Sequence, residues 1–178
     1  MQNRRLGRSA IAVPPLGMGC WAIGGPFTYE AIQAGWGEVD DAESALAIER
    51  ASFPNPWTGP LFLQELQVRF SRILLACDPD GAIAGYVCRW VVADEVHVLN
   101  VAVHPRARGR GLGAALMEEV LAEARRREVR AVTLEVRRSN EAGRRLYESF
   151  GFEQVGERPN YYGRGEDALI LRLGIEDD

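Results

Sequence analysis

Cysteine and histidine are scarce in this sequence, with three and two copies among 178 residues. Cys20, Cys77 and Cys88 show no metal-ligand spacing, and His97 and His104 complete no zinc pattern with them. No metal is therefore expected. The odd cysteine count suits a reducing compartment better than a disulfide framework. No run approaches the ~20 apolar residues that cross a bilayer. Met1 to Arg8 is basic, but Pro14 and Pro15 interrupt the apolar stretch after it, so no signal peptide is expected. The expectation is a cytoplasmic protein without membrane contact. A net charge of -4 argues against holding nucleic acid by charge alone. Internal repeats and low-complexity segments are also missing.

What is present is an ordinary globular composition, 47% apolar and 26% charged. The length suits one domain with a single core. Charge is uneven: Arg106, Arg108 and Arg110 cluster, as do Arg125, Arg126, Arg127 and Arg130, and the chain closes on Glu176, Asp177 and Asp178. The first cluster suits a polyanionic small molecule. The pattern changes near Asp40. Residues 1–40 are rich in Gly and Pro, with short apolar pieces and no helical period, and they are expected to form no independent domain. Residues 41–178 read as the functional domain.

Within that domain Ala45, Ile48 and Glu49 begin a helix that stops before Pro54. Trp57 to Phe70 reads as a second helix, with Leu61, Leu66 and Phe70 apolar and Thr58 as N-cap. Ile73 to Cys77 is a strand ending in the turn Asp78-Pro79-Asp80-Gly81, Ala82 to Val92 is its return, and Glu95 to Val103 is a third strand. Leu112 to Arg127 is the clearest helix: Leu112, Leu116, Val120 and Ala124 recur every four residues. Ala131 to Val136 is a β-branched strand, Asn140 to Phe150 a helix closed by Gly151, and Ala168 to Leu173 a last strand. The order strand, Gly-rich turn, helix, strand, helix indicates an α/β domain.

The turn carries the most information. Between Pro105 and the helix lie Gly109, Gly111 and Gly113. Glycines let backbone N–H groups converge, and a helix N-terminus adds unsatisfied donors and a positive dipole end. A pyrophosphate fits such a place, with Arg108 or Arg110 in reach. Steric need for glycine in a tight turn explains the same spacing equally well. No Gly-Lys-Ser/Thr comes after it, which excludes a P-loop. No acidic residue ends a following strand at the distance that holds a ribose, which argues against a dinucleotide fold.

Arg108-Gly-Arg-Gly-Leu-Gly113, after Leu99-Asn-Val-Ala-Val103, resembles the acetyl-CoA loop of the GNAT acetyltransferases, Gln/Arg-x-x-Gly-x-Gly/Ala, at Arg108, Gly111 and Gly113. The resemblance continues through Leu134-Glu-Val-Arg-Arg-Ser-Asn140, Leu146-Tyr-Glu-Ser-Phe-Gly-Phe152, Arg158-Pro-Asn-Tyr-Tyr162 and Glu166-Asp-Ala168. With Ile48-Glu-Arg-Ala-Ser-Phe-Pro54 and Pro56-Trp57 it is similar to the RimI branch, the ribosomal-protein alanine N-acetyltransferases. It covers about Asp41 to Leu173. It implies a mixed central sheet flanked by helices and splayed between the family's fourth and fifth strands. It also implies acetyl-CoA as co-substrate, the N-terminus of a protein as acceptor, and a monomer or weak dimer.

The resemblance assigns roles that the residues alone leave open. Alternation turns Val132, Leu134 and Val136 one way and Thr133 and Glu135 the other; Glu135 is then either a solvated surface residue or, as the family implies, the general base. Tyr147 is a core aromatic or the general acid that protonates the departing thiolate. Asn140 is a helix N-cap, a hydrogen-bond partner of the coenzyme, or both through different atoms. The resemblance implies that Val101 offers a backbone amide to the thioester carbonyl and that Val101, Ala102 and Val103 pair with the pantetheine arm. The diphosphate would lie on Arg108, Gly109, Arg110, Gly111, Leu112, Gly113 and Ala114. Phe53, Trp57, Asn160, Tyr161 and Tyr162 would line the acceptor; an ordinary turn with aromatics closing the core is the other reading of the last three. His104 is expected only to end its strand. Acetylation of a small amine and non-catalytic acyl-CoA binding are the alternative functions. Residues 1–45, with Leu16-Gly-Met-Gly-Cys-Trp-Ala-Ile-Gly-Gly25 and Gly35-Trp-Gly-Glu-Val-Asp-Asp41, resemble instead the opening of an aldo-keto reductase. The chain is too short for that family's barrel, so no reductase activity is expected, and Ile11 to Met18 either replaces the first strand or the sheet lacks an edge.

Overall fold

The computed structural model describes residues 41–78 and 82–175, together with four short strands between residues 4 and 34. Strands β1 (Arg4–Arg5) and β2 (Ala12–Val13) pair antiparallel, as do β3 (Phe27–Tyr29) and β4 (Ile32–Ala34). Of the segment Ile11 to Met18, only Ala12–Val13 is described, and it pairs with Arg4–Arg5; the rest, like Cys20, lies outside the described residues.

The domain begins with α1 (Asp41–Ser52) and α2 (Gly59–Gln67), followed by β5 (Ser71–Cys77), β6 (Ile83–Val92) and β7 (Glu95–Val103). After a 3-10 turn at Pro105–Ala107 come α3 (Leu112–Arg126), β8 (Ala131–Arg137), α4 (Glu141–Ser149), β9 (Glu153–Arg158) and β10 (Ala168–Gly174). The last six strands form one mixed sheet in the order β5-β6-β7-β8-β10-β9. Strand β7 runs parallel to β8, with α3 as the crossover that a parallel pair requires, and β10 is antiparallel to both β8 and β9. Pro79 to Gly81 lie outside the described residues; on either side of them Asp78 N–H donates to Ala82 O and Ala82 N–H to the Asp78 carboxylate, at 2.8 and 3.0 Å.

Most expected elements are found, with three corrections. Thr58 caps α2 as expected, its Oγ1 accepting from Leu61 N–H at 3.4 Å, but the helix ends at Gln67 because Val68 turns extended. Phe70 therefore lies off the helix, and Phe62, not Leu61, is the buried residue of α2. Helix α1 starts four residues earlier than Ala45. Strand β9 is additional: its exposed pattern gives no apolar alternation to read.

Two compact units make up the chain, Met1–Cys88 with Asn100–Leu116, and Arg89–Leu99 with Met117–Asp178. In the first, Ala45, Ile48, Phe62, Tyr86, Val87 and Ala102 are buried; Phe62 meets the Tyr86 ring edge-on at 5.7 Å. In the second, Val96, Met117, Val120, Val132, Leu134 and Leu169 are buried. The second unit also buries an ion pair. Arg89 donates to Glu123 through Nε, at 2.8 Å, and through Nη2, while Arg127 Nε reaches the other carboxylate oxygen at 2.9 Å. Burial pushes the Glu123 carboxyl up, but Arg89 and Arg127 outweigh it and hold the group below the usual range. Removing one partner of such a buried pair costs about 3–5 kcal/mol, far more than a surface pair contributes.

Candidate active site

The parallel register of β7 with β8 runs from Glu95 opposite Ala131 to Val98 opposite Leu134. Beyond those pairs β7 runs on to Val103 and β8 to Arg137. In the first unit, Ala102 is buried while Val101 and Val103 are half-buried on the opposite parity. A Cβ on Gly85 would lie 2.9 Å from Ala102 O, so β6 needs glycine there to approach this part of β7.

After β7, His104 does more than end its strand. It caps the 3-10 turn, with Nδ1 accepting from Arg106 N–H at 3.2 Å. Arg108 turns back so that Nε donates to Val103 O at 3.0 Å. Gly109 and Gly111 have φ of 72° and 83°, the left-handed region that glycine occupies without strain. Helix α3 starts at Leu112, so the amides of Leu112, Gly113 and Ala114 belong to its first turn and have no i−4 carbonyl to bind. Arg110 is exposed. The loop thus joins left-handed glycines, orphan amides and arginine, a combination suited to a diphosphate. Phe53 and Trp57, half-buried between α1 and α2, belong to the same unit, and the Trp57 ring meets Phe62 edge-on at 6.3 Å.

The second unit holds the titratable candidates. Strand β8 buries Val132, Leu134 and Val136 and turns Thr133 and Glu135 to the other face. Glu135 sits opposite Ile170 of β10, and its carboxylate pairs with Arg158 Nε at 2.8 Å. Both partners keep solvent contact, so the pair contributes about 0–1 kcal/mol. The Tyr162 hydroxyl donates to Glu135 O at 3.4 Å. Burial, then the Glu135 charge, push the Tyr162 phenol up to about 12, and the Arg137 guanidinium covers its ring at 4.0 Å. The Glu135 charge likewise raises exposed Tyr161, whose ring stands edge-on to Tyr162 at 5.0 Å. Tyr147 is buried on α4 against Phe152, and burial, then Tyr162, push its phenol up to about 12. Glu135, Tyr161, Tyr162 and Tyr147 therefore form one electrostatically connected group.

Two candidates are partly committed to structure. Asn140 caps α4, its Oδ1 accepting from Gly143 N–H at 3.0 Å, which leaves Nδ2 as the donor end. Asn160, at φ 54°, accepts from Gly165 N–H at 2.6 Å and so closes its own turn.

Sequence reasoning passed over a third feature, a fully buried carboxylate. Glu49 of α1 accepts from Asn100 Nδ2 at 2.8 Å and from Trp57 N–H at 3.3 Å, both on Oε1. Asn100 also donates to the Tyr86 hydroxyl at 3.0 Å. Burial raises the Glu49 carboxyl above its ordinary value, against hydrogen bonds from Trp57, Tyr86 and Asn100 that lower it. The signal was available: Glu49 shares a helix face with Ala45 and Ile48, and Asn100 shares the inward parity of β7 with Val96, Val98 and Ala102. Among the described residues no group of three metal-ligating side chains occurs, and no helix is long and apolar enough to cross a membrane.

A model of the acetyltransferase (GNAT) family matches residues 42–152. The [ribosomal protein bS18]-alanine N-acetyltransferase of Escherichia coli is 38% identical over 142 residues, 78% of this chain and 94% of its own. The enzyme of the same name from Salmonella typhimurium is 37% identical, over 76% of this chain and 92% of its own. The crystal structure of the ribosomal-protein-S18-alanine N-acetyltransferase from Escherichia coli superposes with a TM-score of 0.72 at 36% identity, over 79% of this chain and 92% of that one. The aldo-keto reductase likeness of residues 1–45 receives no support from these relatives.

Proposed function

This chain belongs to the acetyltransferase (GNAT) family, and we propose that it moves the acetyl group of acetyl-CoA to the N-terminal α-amine of a protein, a ribosomal protein that begins with alanine. The names of the Escherichia coli and Salmonella relatives support this acceptor. The family match begins at residue 42, which supports assigning the chemistry to the chain after Asp41.

Acetyl-CoA supplies a thioester whose sulfur departs as a thiolate. The loop from Arg108 to Ala114 suits its diphosphate, with glycine backbone and first-turn amides as donors and Arg108 and Arg110 as counter-charges. The backbone of Val101, Ala102 and Val103 suits the amides of the pantetheine arm, and Asn140 Nδ2 serves as a further donor. The Val101 N–H stabilises the negative charge that grows on the thioester oxygen. An α-ammonium loses its proton readily near its ordinary pKa of ~8, so one carboxylate suffices as base. Glu135 takes that proton, directly or through a water, as the amine nitrogen bonds to the acetyl carbon. The carbon–sulfur bond breaks, the Tyr147 hydroxyl gives its proton to the sulfur, and the second proton of the acylated nitrogen restores the Tyr147 phenol, directly or through water. Phe53, Trp57, Tyr161 and Tyr162 line the acceptor, and Asn160 shapes the turn that carries the two tyrosines.

The observation that carries this reading is the geometry around Glu135: its carboxylate is held by Arg158 at 2.8 Å, the Tyr162 hydroxyl donates to its backbone oxygen at 3.4 Å, and Tyr161 stands edge-on to Tyr162. Glu135→Gln keeps the shape and removes the proton affinity. Steady-state kinetics near pH 7 is expected to show turnover lowered by ~10²-fold or more, with acetyl-CoA affinity unchanged. Near-normal turnover with chemistry rate-limiting would assign Glu135 to the surface.

A further inference from the structure

Nothing in the proposed chemistry uses Glu49, although it is buried completely and one of its carboxylate oxygens, Oε2, has no hydrogen-bond partner among the described residues. Burying a carboxylate is costly unless its hydrogen bonds repay the lost water. Besides the bond with the Tyr86 hydroxyl on β6, the bonds it makes join three segments of the first unit. Oε1 accepts from the backbone of Trp57, in the loop after α1, and from the side chain of Asn100, on β7 beside Val101. Ser52, one turn further along α1, donates to Val103 O at 3.4 Å. Helix α1 is thereby tied to β7 at Asn100 and at Val103. Phe62 and Tyr86 continue the same cluster: the Trp57 ring packs on Phe62, Phe62 packs on Tyr86, and Tyr86 shares the Asn100 amide.

We propose that Glu49 is a positioning residue that locks the Phe53–Trp57 loop to the Asn100–Val103 part of β7, and so sets how the acceptor N-terminus is received. The proposal rests on the reading that this loop lines the acceptor. An apolar residue at position 49 would pack in the same place without an uncompensated oxygen, so packing alone does not account for the carboxylate. A carboxylate oxygen that binds the Trp57 N–H together with a strand side chain fixes the loop at a single height over β7. Asn100, which carries the strand end of the tie, acts in the same device.

The test combines hydrogen exchange with kinetics on the full chain. In Glu49→Ala, exchange of the Trp57 amide is expected to accelerate at least ~10-fold, because the donor loses its acceptor. The KM for an alanine-initiated peptide should rise ~10-fold, as for loss of one charge-assisted bond, while kcat stays within ~3-fold and the acetyl-CoA Kd within ~2-fold. Glu49→Gln retains an acceptor oxygen and should restore both the slow Trp57 exchange and the peptide KM. A residue that merely supports the fold would instead lower peptide and coenzyme affinity together, and that result overturns the proposal, as does unchanged Trp57 exchange. Should Glu49→Ala fail to fold, Asn100→Ala carries the test, with a raised peptide KM expected and an unchanged one contradictory. Failure of the wild-type chain to acetylate peptides would refute the acceptor reading, whereas the Trp57 exchange still decides whether the tie exists.

Discussion

Tyr147 is buried against Phe152, and its phenol, raised to about 12 by burial and by Tyr162, keeps its proton where an ordinary tyrosine begins to lose it. The sign is simple. A raised phenol favours the neutral form, so any loss of the acid on the alkaline side is displaced upward. As pH rises through ~8 the acceptor amine becomes neutral and the rate should increase, and no fall should follow before about pH 10. Tyr147→Phe should lower kcat by ~10²-fold, in keeping with loss of a general acid. A pH-rate profile of both forms checks this: a wild-type fall between pH 8 and 10 would contradict the assignment. Glu135 and Tyr147 were legible only in part. Alternation along β8 located Glu135 on the outward face, but a surface carboxylate obeys the same alternation, and only the family likeness favours the base. Glu49 was missed because its position at a core-facing turn of α1 reads as apolar spacing, and the distant partner Asn100 is joined to it only by folding.

Helix α3 and the loop before it show what local pattern conveys. Leu112, Leu116, Val120 and Ala124 recur at fourfold spacing, and all four are buried. The glycines ahead of them occupy left-handed backbone that other residues adopt only with strain, and this fits the expected tight approach. Gly111→Glu adds a carboxylate where a diphosphate would sit. Isothermal titration is expected to show acetyl-CoA binding abolished, with far-UV circular dichroism confirming an intact fold; unchanged affinity would remove the loop from the coenzyme site. Elements shaped by tertiary context were less readable. Helix α2 ends before Phe70 because Val68 turns extended ahead of β5, and its buried residue, Phe62, packs edge-on against Tyr86. Strand β9 is largely exposed, and its pairing with β10 supplies the order that its sequence does not display.

Across the whole chain, the order of elements after Asp41, β9 excepted, was readable because each turn or cap is marked locally, by Thr58, by Asp78, by the glycine loop and by Asn140. The sheet order β5-β6-β7-β8-β10-β9 was not legible in the sequence, since nothing local tells β10 to insert between β8 and β9. The Arg89–Glu123 pair is a further whole-chain effect, two charges 34 residues apart in sequence that only the fold brings into contact. One compositional fact simplifies the decisive assay. Lysine is absent, so all 21 basic residues are arginine and the chain offers no ε-amine of its own to acetylate. The chain is incubated with acetyl-CoA and a peptide that begins with alanine and contains one internal lysine, and the modified site is located by fragment-ion mass spectrometry. A single acetyl group is expected on the α-amine of alanine, lost when that amine is blocked beforehand. No transfer, or transfer to the lysine ε-amine in preference, would contradict that expectation.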